Sequence, residues 1–361
     1  MITPKIIRVL IVDDSLLARE MLREILEEHE DIEVVGEALN GQQAIEMVKE
    51  LRPHLVTMDL NMPVMGGLEA IEAIMHNKAV PILVVSSETD AEQAYQALSS
   101  GALEVIGKPR INSEDAKLLV HQVRLLSGVP VITRMQRWCM TTQNADPMLS
   151  GAYLAASKVA DQPIFALASS TGGPQALANL LSALPADFPA PLVIAQHISN
   201  GFIEGMGQWL AGLCALPVKV AEEGELLVAG KVYLSPSEEH LTFTSDGRVK
   251  LKSRAEKDIY HPSCDEMLAS VAQVYGKNAV GIIMTGMGCD GTRGMTAIYE
   301  QGGITLAQDE ASSVIYGMNA EAVNAGVIHR ELPLSSLADE MLRILLLKPL
   351  GYLAALKRGN L

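Results

Sequence analysis

The feature that most constrains this chain is an alternation, occurring twice, of short apolar runs with longer amphipathic stretches. In the first block the apolar runs are Ile7–Val12, Ile32–Glu37, Leu55–Asp59, Pro81–Val85 and Ala102–Ile106. Amphipathic segments such as Ser15–Glu28, Gln42–Leu51 and Ala91–Leu98 separate them. Strand-length runs followed by helix-period segments are βα units, and parallel strands require such crossovers. Five units in under 130 residues predict a doubly wound parallel sheet of flavodoxin-like order.

The second block opens with PIFALASSTGGPQALANLLSAL, a strand, a Gly-Gly turn and a helix, and continues with the strand APLVIAQH. Helices are expected at Gly201–Leu213, Pro262–Tyr275 and Gly291–Gln301, with strands at Asn278–Thr285 and Gly303–Ala307. The intervening Leu216–Ser253 reads as a β-rich insertion with SDG as a hairpin turn. The fold class expected is therefore α/β with two doubly wound domains, the second a three-layer α/β/α hydrolase carrying a β-hairpin-rich insertion.

Charge locates the seam between them. The net charge is −15, with −10 in residues 1–128, +1 in residues 129–162 and −6 in residues 163–361. The near-neutral segment lacks a sustained period, so it reads as a linker, with Met135 and Trp138 as candidate anchors. The expected organisation is a domain over 1–128, a linker over 129–162, a second domain over 163–350 and a tail over 351–361. Hydrophobic residues at 48% against 20% charged exclude wholesale disorder. The acidity argues against a nucleic-acid binder, which needs clustered positive charge.

Cys139, Cys214, Cys264 and Cys289 show no C-x-x-C spacing, so neither a zinc site nor a disulfide framework is expected. No apolar run approaches the ~20 residues of a membrane span, and the N-terminal apolar stretch is too short and wrongly flanked for a signal peptide. A soluble, cytoplasmic protein is expected, probing neither membrane nor nucleic acid.

Asp13 and Asp14 end the first apolar run and Asp59 ends the third. In the predicted strand order these carboxyl ends are neighbours, and three carboxylates there repel one another unless a hard cation such as Mg²⁺ sits among them. Ser86 and Lys108 end the fourth and fifth runs, where a hydroxyl and an ammonium could hold a phosphoryl group on Asp59. With MDLNMPVMGG around Asp59 and Lys108-Pro109, residues 5–127 resemble the receiver domain of two-component response regulators. The resemblance implies phosphorylation at Asp59, a switch through Ser86 and Lys108, and Mg²⁺ held by Asp13, Asp14, Asp59 and the Asn61 carbonyl. Val105 stands where many receivers carry an aromatic residue.

In the second block Ser170 follows IFALAS and precedes a Gly-Gly turn and a helix. Its hydroxyl is then exposed beside helix N-terminal N–H groups, as a nucleophile or as part of a phosphate-binding turn. Neither nucleotide-loop signature is present, nor is G-x-S-x-G. His197 ends the next strand, and Asp290, which alone reads first as a helix N-cap, follows AVGIIMTGMG. Ser, His and Asp at three strand ends of one sheet match nucleophile, base and orienter.

The motifs ASSTGGPQAL, QHISNGF, LSPSEEHLTF, HPSCDEMLASVA, IIMTGMGCDGTRGM and AQDEASSVIYGM together resemble the catalytic domain of chemotaxis protein-glutamate methylesterases, from about Pro163 to Leu347. The resemblance implies Ser170, His197 and Asp290 as catalytic residues and Thr171 and Met287 as oxyanion-hole donors. It implies hydrolysis of glutamate γ-methyl esters on chemoreceptor helices, deamidation of receptor glutamines, no cofactor for the esterase reaction, a chemotaxis histidine kinase as phosphodonor, and a monomer. Glu204 and Trp209, and His261 before Pro262, depart from the family at the expected rim of the site. A DNA-binding output is opposed by the acidity and the lack of a basic recognition helix; a scaffold with an idle triad is opposed by the intact Ser170, His197 and Asp290.

Overall fold

The computed structural model describes residues 6–87, 91–111, 113–131, 162–255, 258 and 260–359. The chain divides into two compact units, Met1–Thr142 and Gln143–Leu361. The linker expected over 129–162 lies almost wholly outside the described residues, and Met135 and Trp138 lie outside them altogether.

The first unit runs β1 (Ile7–Val12), α1 (Leu16–Glu27), β2 (Ile32–Ala38), α2 (Gly41–Leu51), β3 (Leu55–Met58), α3 (Gly67–Lys78), β4 (Ile82–Ser86), α4 (Ala91–Ser99), β5 (Glu104–Gly107) and α5 (Glu114–Leu126). Its parallel sheet has the order β2-β1-β3-β4-β5. Leu22, Leu26, Leu119 and Val123 of α1 and α5 pack with Val9, Ile11, Leu83 and Ile106 of the sheet. Register sets the site: Val12 pairs with Met58 and Ser86 with Gly107, so the residues that follow emerge side by side. Ser15 caps α1 by accepting from the Ala18 N–H, which fixes the turn that carries Asp13 and Asp14.

The second unit runs β6 (Ile164–Ser169), α6 (Gly173–Ser182), β7 (Leu192–Gln196), α7 (Ile203–Leu213), β8 (Val218–Val220), β9 (Val232–Leu234), β10 (Glu239–Phe243), β11 (Val249–Ser253), α8 (Cys264–Tyr275), β12 (Ala279–Ile283), α9 (Thr292–Glu300), β13 (Ile304–Gln308), α10 (Met318–Asn324), β14 (Arg330–Leu332) and α11 (Leu334–Lys357). Seven strands form a parallel sheet in the order β14-β13-β12-β6-β7-β9-β8. Ala166, Ala168 and Val193 share a core with Met267 and Val271 of α8 and Met295 and Ile298 of α9. The alternate residues Phe165, Leu167 and Ile194 are equally buried, so both faces of the sheet are covered.

Two expectations change in detail. Leu216–Ser253, expected as a β-hairpin-rich insertion, is a hairpin only in its second half. Its short strands β8 and β9 join the parallel sheet, and only β10 and β11 form the antiparallel hairpin around Ser245-Asp246-Gly247. The 351–361 stretch is helical through Lys357, beyond a break at Lys348-Pro349. It is anchored by Tyr352, whose wholly buried hydroxyl bonds the Glu340 carboxylate.

Candidate active site

Strand β6 lies between β7 and β12, so the chain reverses its direction across the sheet there and a crevice opens at the carboxyl ends. Ser170 is the first residue after β6, His197 the first after β7, and Asp290 lies between β12 and α9. Ser170 is 9% exposed, and its N–H donates to Thr285 O at 3.0 Å, continuing the β6–β12 ladder. Buried Gln196 ties the first two together. Its amide N–H donates to the Ser170 and His197 carbonyls, each at 2.8 Å, while its oxygen accepts from Ser169 Oγ at 2.6 Å.

His197 Nε2 pairs with Asp290 Oδ2 at 2.8 Å. Asp290 is 3% exposed and bound on every side. Oδ2 also accepts from the Cys264 N–H at 2.7 Å; Oδ1 accepts from the Asp265 N–H at 2.9 Å and from Ser263 Oγ at 3.2 Å. These donors form the N-terminal turn of α8, where the helix dipole favours a negative charge. Burial pushes the Asp290 carboxyl up, but the His197 bond and charge and the two N–H donors outweigh it and hold the group below its ordinary range.

The neighbouring helix returns the interaction. Asp265 Oδ1 accepts from the Gly291 and Gly294 N–H groups at 3.0 and 2.7 Å, capping α9. Gly294 permits the approach, since a Cβ there would stand 2.4 Å from Leu268 Cβ. Tyr260 stacks on the His197 ring, with centroids 5.0 Å apart and planes 12° from parallel. Buried His240 accepts the Ser263 N–H on Nδ1 and pairs with Asp258 through Nε2 at 3.0 Å, so the β10 hairpin supports the same α8 terminus. A cleft of about 460 Å³ opens here, lined by Tyr260, Ser263 and Asp290 together with Lys252, Glu266 and Arg293.

Sequence reasoning missed Gln196, Tyr260, His240 and Asp265. Its one available signal was Ser263-x-x-Glu266, a helix-start pattern, and Ser263 Oγ does accept the Glu266 N–H. Thr171 is buried, its carbonyl accepting from Thr285 Oγ1 at 2.9 Å, and Met287 is 37% exposed. Gly286, just before Met287, lies against the nucleophile candidate: a Cβ there would be 2.7 Å from Ser170 Cβ. Glu204 is exposed and Trp209 is buried.

In the first unit, buried Asp13 and Asp59 flank Lys108, whose Nζ is 2.8 Å from Asp13 Oδ2 and 3.2 Å from Asp59 Oδ1. Exposed Asp14 brings a third carboxylate, with one oxygen of each within 4.8 Å of the others. Burial raises the Asp59 carboxyl, Lys108 opposes the shift and Asp13 adds to it, so one ammonium does not neutralise the group. Ser86 Oγ is wholly buried with no hydrogen-bond partner among the described residues, and Asn61 is exposed two residues beyond Asp59. Three hard oxygen donors with an unbalanced charge fit Mg²⁺.

Comparison with known proteins finds relatives for both units. The response regulator receiver domain family matches residues 9–120, and the CheB methylesterase family matches residues 165–341. Protein-glutamate methylesterase/protein-glutamine glutaminase 3 of Paramagnetospirillum magneticum is 53% identical over 94% of this chain and 96% of that protein. Protein-glutamate methylesterase/protein-glutamine glutaminase 4 of Myxococcus xanthus is 42% identical over 93% of this chain and 96% of its own length. The crystal structure of the Thermotoga maritima CheB methylesterase catalytic domain covers 51% of this chain and 98% of that one, at 32% identity and a TM-score of 0.49. With relatives aligned from the acidic pocket of the first unit through the crevice of the second, the chain belongs to the CheB family of protein-glutamate methylesterases/protein-glutamine glutaminases, receiver domain included.

Proposed function

We propose that this chain hydrolyses glutamate γ-methyl esters on the cytoplasmic helices of chemoreceptors, deamidates receptor glutamines at the same site, and is regulated by phosphorylation of Asp59. The observation that carries the reading is the His197–Asp290 pair, clamped by α8 and tied through Gln196 to Ser170. With Nε2 committed to Asp290, Nδ1 is the nitrogen left to take the Ser170 proton. Ser170 then attacks the ester carbonyl, and the Thr171 and Met287 N–H groups hold the developing oxyanion. His197 returns the proton to departing methanol and next deprotonates water, which releases the glutamate and restores Ser170. Asp290 stays ionised and stabilises the imidazolium in both steps. A glutamine side chain follows the same course with ammonia as leaving group.

In the receiver, a kinase phosphodonor loads Asp59, and Lys108 and the Ser86 hydroxyl bind the phosphoryl oxygens. Mg²⁺ held by Asp13, Asp14, Asp59 and the Asn61 carbonyl would offset the added negative charge. No described helix is long and apolar enough to cross a membrane. Mass spectrometry of methylated receptors tests the whole reading. Loss of one CH₂ per site should require Ser170, disappear in Ser170→Ala, and increase with phosphodonor only while Asp59 is present. Demethylation by Ser170→Ala would overturn it.

A further inference from the structure

No cysteine spacing announces a metal site in this sequence, yet the fold gathers three side chains of metal-ligating type at His197. Cys264, the first residue of α8, sends its thiol toward the imidazole, with Sγ 3.6 Å from Nε2. Asp290 Oδ2 lies 2.8 Å from the same nitrogen. One ligand atom each from His197, Cys264 and Asp290 therefore lies within 4.8 Å of the others. We propose that this trio is a binding site for Zn²⁺ or a cation of its class, and that its occupancy shuts the hydrolase off.

The donor set fixes the class of cation. A thiolate and an imidazole select zinc-like ions and reject Mg²⁺, which belongs to the all-oxygen pocket of the receiver. Two of the three ligand separations need little change. Zn–N of about 2.0 Å and Zn–S of about 2.3 Å at a tetrahedral angle separate nitrogen and sulfur by about 3.5 Å, against the 3.6 Å present. The matching N···O separation is about 3.3 Å, so the Asp290 oxygen retreats by about half an ångström from its present 2.8 Å. Three protein ligands leave a fourth position for water, and Asp290 lines the neighbouring cleft. The Cys264 and Asp265 N–H groups and Ser263 Oγ already orient the carboxylate, as outer partners do in metal sites.

Proton balance gives the consequence. Burial and the nearby Asp290 charge push the Cys264 thiol up. Metal binding displaces the thiol proton to solvent. A neutral imidazole that ligates through Nε2 carries its proton on Nδ1 and cannot accept one from Ser170. This loss of function rests on the hydrolase reading given above; the metal site does not.

Co²⁺ added to the full chain is the direct probe, because a thiolate ligand gives an intense near-ultraviolet charge-transfer band that carboxylates do not. The band should appear, vanish on adding Zn²⁺, be lost in Cys264→Ala, and survive in a protein with Cys139→Ala, Cys214→Ala and Cys289→Ala combined. That last protein keeps the test sound should Cys264→Ala fold poorly. Absence of the band from wild type or from the triple variant, or its persistence in folded Cys264→Ala, overturns the proposal. In parallel, Zn²⁺ should abolish methanol release from methylated receptors and a chelator should restore it. A thiolate band in a protein that never releases methanol would sink the hydrolase reading while leaving the metal site standing. Full turnover with Zn²⁺ bound would refute the shut-off.

Discussion

Replacing Asp290 by asparagine tests the clamp and the chemistry together, because the structure leaves the amide no satisfactory orientation. Oδ2 accepts from His197 Nε2 and the Cys264 N–H; Oδ1 accepts from Ser263 Oγ and the Asp265 N–H. An amide has one acceptor oxygen, so its NH₂ group must face one backbone N–H of the α8 terminus. That buried donor loses its partner, a cost of about 1–3 kcal/mol, and the lost charge at the helix terminus adds about 0.3–1 kcal/mol. The sum of roughly 1.3–4 kcal/mol lowers the melting temperature of a unit of this size by roughly 3–16 °C. Turnover falls for a separate reason. When the NH₂ group faces His197, Nε2 becomes an acceptor, and the ring proton moves to Nδ1, the nitrogen needed by Ser170. An Asp→Asn change that reverses a catalytic tautomer costs about 10⁴-fold in kcat, and a loss of about 10³–10⁴-fold is expected here. Methanol release from methylated receptors and thermal unfolding of the full chain supply the two readings. Turnover within about tenfold of wild type at an unaltered melting temperature would refute the reasoning.

The other expectations concern separate parts of the molecule. Gln196→Leu removes the amide that ties β6 to β7 and strands Ser169 Oγ and two carbonyls; stability should fall by about 1–3 kcal/mol, with kcat reduced more than KM is raised, and a pure KM effect in steady-state kinetics would contradict the role. Lys108→Met removes an ammonium that lowers the Asp59 carboxyl while burial and Asp13 still raise it, so Asp59 should titrate at higher pH by carboxyl-resolved NMR, and an unchanged titration would count against the pocket as described. The Asp290 carboxyl is depressed in the folded chain, so the stability it contributes is fully present above its unfolded value of about 3.9 and is lost as pH falls through the lower folded value. The melting-temperature gap between wild type and Asp290→Asn should therefore narrow below about pH 4, and a gap that widens there would reverse the sign.

The residues legible in the sequence share one property: each stands where an apolar run stops. A buried parallel strand is apolar over most of its length and ends at the sheet edge, so the residues just after Ile164–Ser169 and Leu192–Gln196 mark the crevice, although each strand already closes on a polar residue, Ser169 or Gln196. Asp13, Asp59, Ser170 and His197 were found in this way. What local pattern cannot carry is pairing between distant segments. Gln196 acts through its amide across two strands, Tyr260 meets His197 by stacking, and His240 reaches α8 from a hairpin. Strands β8 and β9 have three residues each, too few to display a period, and their places in the parallel sheet are set by pairing with each other and with β7.

Asp290 shows what the tertiary arrangement adds to a motif. An aspartate just ahead of Gly291-Thr292 is placed to cap its own helix, and had it done so its oxygens would be committed to α9. Instead α9 is capped by Asp265 from α8, while Asp290 receives the N-terminal donors of α8. The two helices exchange carboxylates. Each acid then satisfies a neighbour's orphan N–H groups, and the one nearest the crevice keeps an oxygen directed at His197. Because the exchange requires α8 and α9 to approach at Gly294, the position of Asp290 depends on their packing as well as on its own loop. A side chain placed at Gly294 should therefore impair catalysis without touching any reacting atom, by parting the helices that hold the carboxylate in place.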